Sequence, residues 1–206
     1  KASSLYWTAV SFVHEGKVPE ALQALEQQRE LATAEKLTPT AMNAQLDQAW
    51  LLSESGKSSE AVSHIDQVEA MIDGAPFTDR AKATWHRQVL LARALTAARA
   101  RDFATARSAM ARAKAAMTRD LPTAAAENYE SSMGVIDVLE GKYEAALRHL
   151  KLGDPEDPYA MFYQAEALRL KGDAAGSARM YMKVTKSNQN GLGYALVRLR
   201  AKKAGT

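Results

Sequence analysis

The 206-residue chain contains no cysteine. That excludes disulfides, thiolate nucleophiles and Cys-ligated zinc, and it leaves the compartment open between cytoplasm and periplasm. Glycine and proline are scarce, at 11 and 6, and three isoleucines stand against 40 alanines. Few turn-formers and few β-branched residues argue against a sheet protein, while alanine is the best helix former. No apolar run approaches the length of a bilayer span, so no membrane insertion is expected. A starting Met is missing too: the chain opens Lys1-Ala2-Ser3, which reads as a processed chain or an excised domain. What is present, 47% hydrophobic and 25% charged residues, is ordinary globular usage with enough apolar material for a sizeable core.

Five turn clusters recur: Glu15-Gly16-Lys17, Ser55-Gly56-Lys57, Arg101-Asp102, Glu140-Gly141-Lys142 and Lys171-Gly172-Asp173. Helical periodicity flanks each one, and no segment alternates apolar and polar for long enough to be a strand. Glycine suits the left-handed residue that closes a helix and lets the chain reverse. Arg101 holds that place in the third cluster, where a side chain carries strain if the backbone turns the same way. Thr38 and Asp157, each before a proline, are expected N-caps, as are Ser58, Thr78, Asp102 and Asp173. The spacing predicts helices over 2–15, 18–36, 39–55, 59–72, 79–100, 103–118, 122–140, 143–152, 158–171, 174–187 and 191–203.

Alignment on the turns exposes a second pattern. Seven residues before each turn stand Ala9, Ala49, Ala94, Gly134 and Ala165; five after it stand Ala21, Ala61, Ala106, Ala146 and Ser177. Nine after it stand Leu25, Ile65, Met110, Leu150 and Tyr181. Small residues facing one another across a hairpin let two helices approach closely, and the larger residue one turn on fills the space beside them. This pattern resembles the tetratricopeptide repeat (TPR) family in a long-helix form. The fourth unit matches it best, with Met133-Gly134, Gly141-Lys142-Tyr143-Glu144-Ala145-Ala146, Leu150 and Pro158. The first follows, with Leu5, Ala9, Phe12, Gly16, Glu20-Ala21-Leu22 and Leu25. The consensus leucine before the small position is replaced by Thr8, Gln48, Arg93 and Gln164, and turn spacings of 40, 45, 40 and 31 depart from the family's period of about 34. HEAT-like stacked hairpins have similar periods and stay open as a reading.

The resemblance implies an all-α fold. It would be a right-handed α-solenoid of about five antiparallel hairpins, near 2–36, 39–72, 79–118, 122–152 and 158–187, forming one domain over 1–206. A capping helix at 191–203 would close it, with Leu192, Ala195, Leu196 and Leu199 on the apolar face and Arg198, Arg200, Lys202 and Lys203 at the C-terminal end.

Chemistry is hard to find. His14, His64, His86 and His149 form no His-Glu-x-x-His pattern. Gly191-Leu192-Gly193 lacks the strand and the remainder of a phosphate-cradling fingerprint, and the acidic loop 153–158 holds two prolines and no spaced calcium ligands. No serine has a nucleophile-elbow context. The expectation is a non-enzymatic chain without cofactor or metal; a cleft holding His86 beside a carboxylate would reopen catalysis.

In TPR-like stacks the first helix of each hairpin meets the partner. Six residues before each turn are Val10, Trp50, Leu95, Val135 and Glu166; ten before are Tyr6, Leu46, Leu91, Ser131 and Phe162. The resemblance therefore implies a peptide or amphipathic helix bound against Tyr6, Val10, Leu46, Trp50, Leu91, Leu95, Val135 and Phe162, with large rings as anchors. The competing reading is that these residues are simply core. The chaperone-binding subgroup clamps a C-terminal carboxylate with Lys and Asn, but the corresponding places here hold Tyr6, Val10, Asp47, Gln88 and Ala92.

Charge is uneven: residues 1–78 carry 5 basic and 11 acidic groups, residues 79–120 carry 10 and 3, and residues 121–206 carry 12 and 10. The basic band, which includes Arg80, Arg87, Arg93, Arg99 and Arg119, offers an alternative function, a solenoid binding an acidic partner or nucleic acid. It lacks the interleaved aromatics that stack on bases. Self-association of the acidic start with the basic band of a second molecule is a further reading. The interaction module would serve as the scaffold arm of a larger signalling or assembly protein, and the Ala/Arg-rich style points to a bacterial one.

Overall fold

A computed structural model describes residues 1–117 and 122–205. Among them stand eleven helices and no strand: α1 (Ala2–His14), α2 (Val18–Ala34), α3 (Thr38–Glu54), α4 (Ser58–Gly74), α5 (Asp79–Arg99), α6 (Phe103–Ala115), α7 (Thr123–Glu140), α8 (Tyr143–Leu152), α9 (Pro158–Leu170), α10 (Ala174–Thr185) and α11 (Leu192–Ala204). The all-α expectation holds, and neighbouring helices pack in pairs. Helix ends fall within two residues of the predicted ones, except that α6 stops at Ala115; Thr118, its predicted end, lies outside the described residues. No described helix is long and apolar enough to cross a membrane.

The chain falls into two compact units, Lys1–Ala116 and Met117–Thr206. In the first, α1–α2, α3–α4 and α5–α6 are antiparallel pairs, joined by α2 against α3, α4 against α5 and α3 against α5. In the second, α7–α8 and α9–α10 pair, α9 also touches α7, and α11 packs on α9 and α10.

One reversal recurs. At Gly16, Gly56, Arg101, Gly141 and Gly172 the backbone enters the left-handed region, with φ between +66° and +90°. The next residue's N–H donates to the carbonyl five back, as from Lys17 to Phe12 at 2.8 Å and from Asp102 to Ala97 at 2.9 Å. These are Schellman closures. Lys36 makes a sixth, at φ +58°, with Leu37 donating to Ala32; no glycine marks it, and it joins α2 to α3. The residue after each left-handed one serves twice, ending one helix and capping the next. Where it is aspartate its side chain completes the cap: Asp102 accepts from the Thr105 N–H at 3.0 Å and Asp173 from Gly176 at 2.8 Å.

The same sharing corrects two expected caps. Thr38 and Ser58 lie inside their helices, because Leu37 and Lys57 already occupy the cap positions set by the preceding closures. Thr78 and Asp157 do cap, accepting from Ala81 and from Tyr159 and Ala160.

All fifteen residues of the aligned small and large positions are buried. The reason is clearest at Gly134, where a Cβ would lie 2.4 Å from Leu150 Cγ; α7 and α8 meet so closely that no side chain fits between them. Leu25, Ile65, Met110, Leu150 and Tyr181 fill the space beside these contacts, and full burial of such an aliphatic side chain is worth about 1.5–3 kcal/mol. On α11 the buried face is Leu192, Tyr194, Ala195, Val197 and Ala201. Leu192 and Ala195 lie on it as expected, and Leu199 is exposed rather than part of it.

Candidate functional site

The stripe residues divide by unit. On α1, α3 and α5, Tyr6, Leu46, Trp50, Leu91 and Leu95 are half-buried, and Val10 is buried. Leu46 leans on a cluster of Met42, Ala49, Leu52, Ile65, Trp85 and Val89. In the second unit Val135 and Phe162 are both 2% exposed. Phe162 is packed by Tyr163 and Tyr181, with ring centroids 5.6 and 5.8 Å away, and the Arg200 guanidinium sits 4.5 Å from its centroid. Those three buried residues belong to the packing of their own helices in this conformation.

The first unit has a cleft of about 440 Å³ where α1 and α3 stand apart over α2. Ser3, Tyr6 and Trp7 come from α1, Gln28 from α2, and Thr40, Asn43 and Asp47 from α3. Helical spacing builds each wall: Ser3, Tyr6 and Trp7 share a face at i, i+3 and i+4, as do Thr40, Asn43 and Asp47 at i, i+3 and i+7. Trp7 is 49% exposed. The Tyr6 and Trp7 rings meet edge to face, 5.1 Å between centroids and 74° between planes. Asp47 is the one carboxylate of the wall, and no hydrogen bond or ion pair reaches it. Burial in these surroundings pushes its carboxyl up to about 7. Gln28, 6% exposed, has a buried Oε1 with no hydrogen-bond partner. The cleft thus presents two aromatic faces and two unanswered acceptors, and no lysine or arginine lines it.

No known protein family matches the chain, and no curated protein matches it.

Two arginines of the basic band are answered within their own unit. Arg93 reaches Asp66 at 2.8 Å and also pairs with Glu69, and Arg99 pairs with Glu54 in a nearly buried bridge. Arg87 is buried, its desolvated guanidinium held below the usual value. Of the five arginines singled out, Arg80 is exposed, and Arg119 lies outside the described residues. The acidic start and basic middle of the sequence therefore meet in part inside one chain.

His86 does stand beside a carboxylate, 3.7 Å from Asp73, but Asp73 is largely exposed and that distance is beyond a hydrogen bond. A constellation absent from the sequence reading lies at His149. Its Nδ1 is 2.6 Å from Glu130 Oε2 and its Nε2 3.8 Å from the buried Asp137 carboxylate, which ties α8 to α7. Glu130 and Asp137 are seven residues apart on one helix, a two-turn spacing that could have marked them as facing one neighbour. Among the described residues no three His, Asp or Glu side chains are placed to hold a metal ion.

Proposed function

We propose that this chain is a non-catalytic interaction module. Its hairpins would be TPR-like and stack within each unit as in a right-handed α-solenoid, and its first unit would hold a peptide or an amphipathic helix along α1, α3 and α5. Support for the repeat assignment comes from the five-fold register of small residues and from the shared Schellman closures. One observation carries the binding assignment. Tyr6, Leu46, Trp50, Leu91 and Leu95 stand on successive first helices at two fixed places before their turns and are only half covered, although the hairpin contacts beside them are closed. Large apolar side chains left partly wet are the usual anchors for a partner's apolar face.

The acidic-partner reading draws less support, because Arg93 and Arg99 already have carboxylate partners and Arg87 is buried. Selection of a random-peptide display library on the intact chain tests the first reading. Selected peptides should lose binding to Trp50→Ala and to Leu91→Glu while the circular-dichroism spectra match the parent. Peptides held equally by both folded variants would remove α3 and α5 from the binding surface.

A further inference from the structure

The cleft between α1 and α3 is lined by one carboxylate, Asp47, and by no lysine or arginine, beside the uncharged polar groups of Ser3, Gln28, Thr40 and Asn43. Its carboxylate has no cation and its buried amide oxygen has no donor. Asp47 is half-buried in the cleft wall, while Gln28 Oε1 is buried, and a buried acceptor left without a donor is a costly arrangement that a bound donor relieves. A cation that is also a hydrogen-bond donor answers both groups. Tyr6 and Trp7, meeting almost at right angles, offer two π faces in one corner, which is the geometry that stabilises a positive charge by its attraction to the ring quadrupole. Long-range charge agrees: residues 1–78, which build α1 to α4, carry six more acidic than basic groups.

We infer that the α1–α3 cleft is a binding site for an alkylammonium group, seated against Tyr6 and Trp7, neutralised by Asp47 and donating a hydrogen bond to Gln28 Oε1. An ammonium there relieves the desolvation that lifts the Asp47 carboxyl. A quaternary ammonium satisfies only part of the set, because it has no N–H for Gln28. Two sources carry this chemistry, a free amine and the lysine side chain of a peptide. In the second case the site rests on the interaction-module reading and defines its partner as a lysine-bearing segment.

The experiment is a titration followed by the indole ¹H–¹⁵N resonance of Trp7, at constant ionic strength. The probes are n-butylammonium, tetramethylammonium, butan-1-ol, and a blocked tripeptide acetyl-Gly-Lys-Gly-amide with its norleucine counterpart. Butylammonium should give a saturable shift and bind about tenfold more tightly than butanol. Tetramethylammonium should fall between them. Asp47→Asn should weaken butylammonium by about tenfold, and Trp7→Ala, read from neighbouring amides, by several-fold. Trp7 is half exposed and Asn is nearly isosteric with Asp, and circular-dichroism spectra matching the parent check that both variants are folded. Equal affinity for butanol and butylammonium, no saturation by butylammonium, or unchanged affinity in Asp47→Asn each overturns the site. Tighter binding of the lysine tripeptide than of butylammonium, with the norleucine peptide weak, upholds the site and assigns it to a protein partner. Butylammonium binding without any peptide binding upholds the site as one for a free amine and counts against the interaction-module reading alone.

Discussion

The two units use one hairpin device and finish it differently. In the second, α9 lies against α7 on one side and α11 on the other, and the ring ten residues before its turn, Phe162, is enclosed. In the first, α3 packs on α5 but stands away from α1, and Tyr6, at the same place before its own turn, remains half open. The carboxylates on these helices follow suit. Burial pushes Glu166 up, but hydrogen bonds from Arg169 and Tyr181 outweigh it and hold the group below the usual carboxylate range. Asp47 suffers the same desolvation with nothing to offset it. The second unit has resolved its polar and apolar conflicts internally, and the first has left them in a cleft. Unresolved conflict of that kind is where a stable scaffold keeps a site, at some cost in stability.

The largest test of this contrast is truncation of the two aromatic groups. Phe162→Ala should destabilise its unit by about 3–5 kcal/mol, because the space it leaves is walled by Tyr163 and Tyr181. Trp7→Ala, half exposed, should cost under about 1 kcal/mol. Urea denaturation of both variants reads the difference, and similar losses would erase the distinction between a closed and an open unit.

The carboxylates come next and carry opposite signs. Asp47 holds its proton more tightly folded than unfolded, so stability falls as pH rises from about 4 to about 7 and then levels. Asp47→Asn should therefore stabilise by on the order of 2 kcal/mol at pH 8 and by almost nothing at pH 4. Glu166 is the reverse: its contribution is present above the unfolded carboxyl pKa and is lost as pH falls through the lowered folded value. Glu166→Gln should cost stability at pH 7, and the cost should shrink below about pH 4. Melting temperatures of both variants across that range decide the matter; two profiles of the same sign would contradict the assigned environments.

Smallest is the effect of turn chemistry. In the first unit Lys36 and Arg101 sit in the left-handed region beside Gly16 and Gly56, whereas the closures described in the second are made by glycines, Gly141 and Gly172. Arg101→Gly should gain about 0.5–1 kcal/mol by relieving strain, and Gly141→Ala should lose about as much. For Gly141 the space is open, with only the Tyr143 hydroxyl 4.0 Å from a built Cβ, so the loss would be conformational.

Legibility in the sequence tracks how local each cause is. Helices and four of the six reversals were readable because a glycine and its flanking periodicity lie within a few residues of one another. Arg101 was readable only by register with its neighbours. Lys36 was not readable at all, since its left-handed turn is imposed by the packing of α2 on α3. Thr38 and Ser58 looked like caps because cap preference is a single-residue rule, and the preceding helix had already claimed the position. Tyr6 reached the candidate site through spacing from a turn. Trp7, Gln28 and Asp47 did not come together as a group, because three helices bring them there and the gap between two of those helices has no signature along the chain. The arginines misled for the same reason: Asp66, Glu69 and Glu54, which answer Arg93 and Arg99, lie 24 to 45 residues away.

The shared Schellman closures also set how the chain reaches its fold. Each closes within six residues, and most helices pack chiefly on the next one along the chain. Contacts so short in sequence make for a low contact order, and domains of that kind fold on the microsecond-to-millisecond scale. A first unit that reassembles that quickly can be prised apart at its edge and recover before it aggregates. Helix α1, which packs chiefly on α2, is bound into the unit by the neighbour that follows it in the chain.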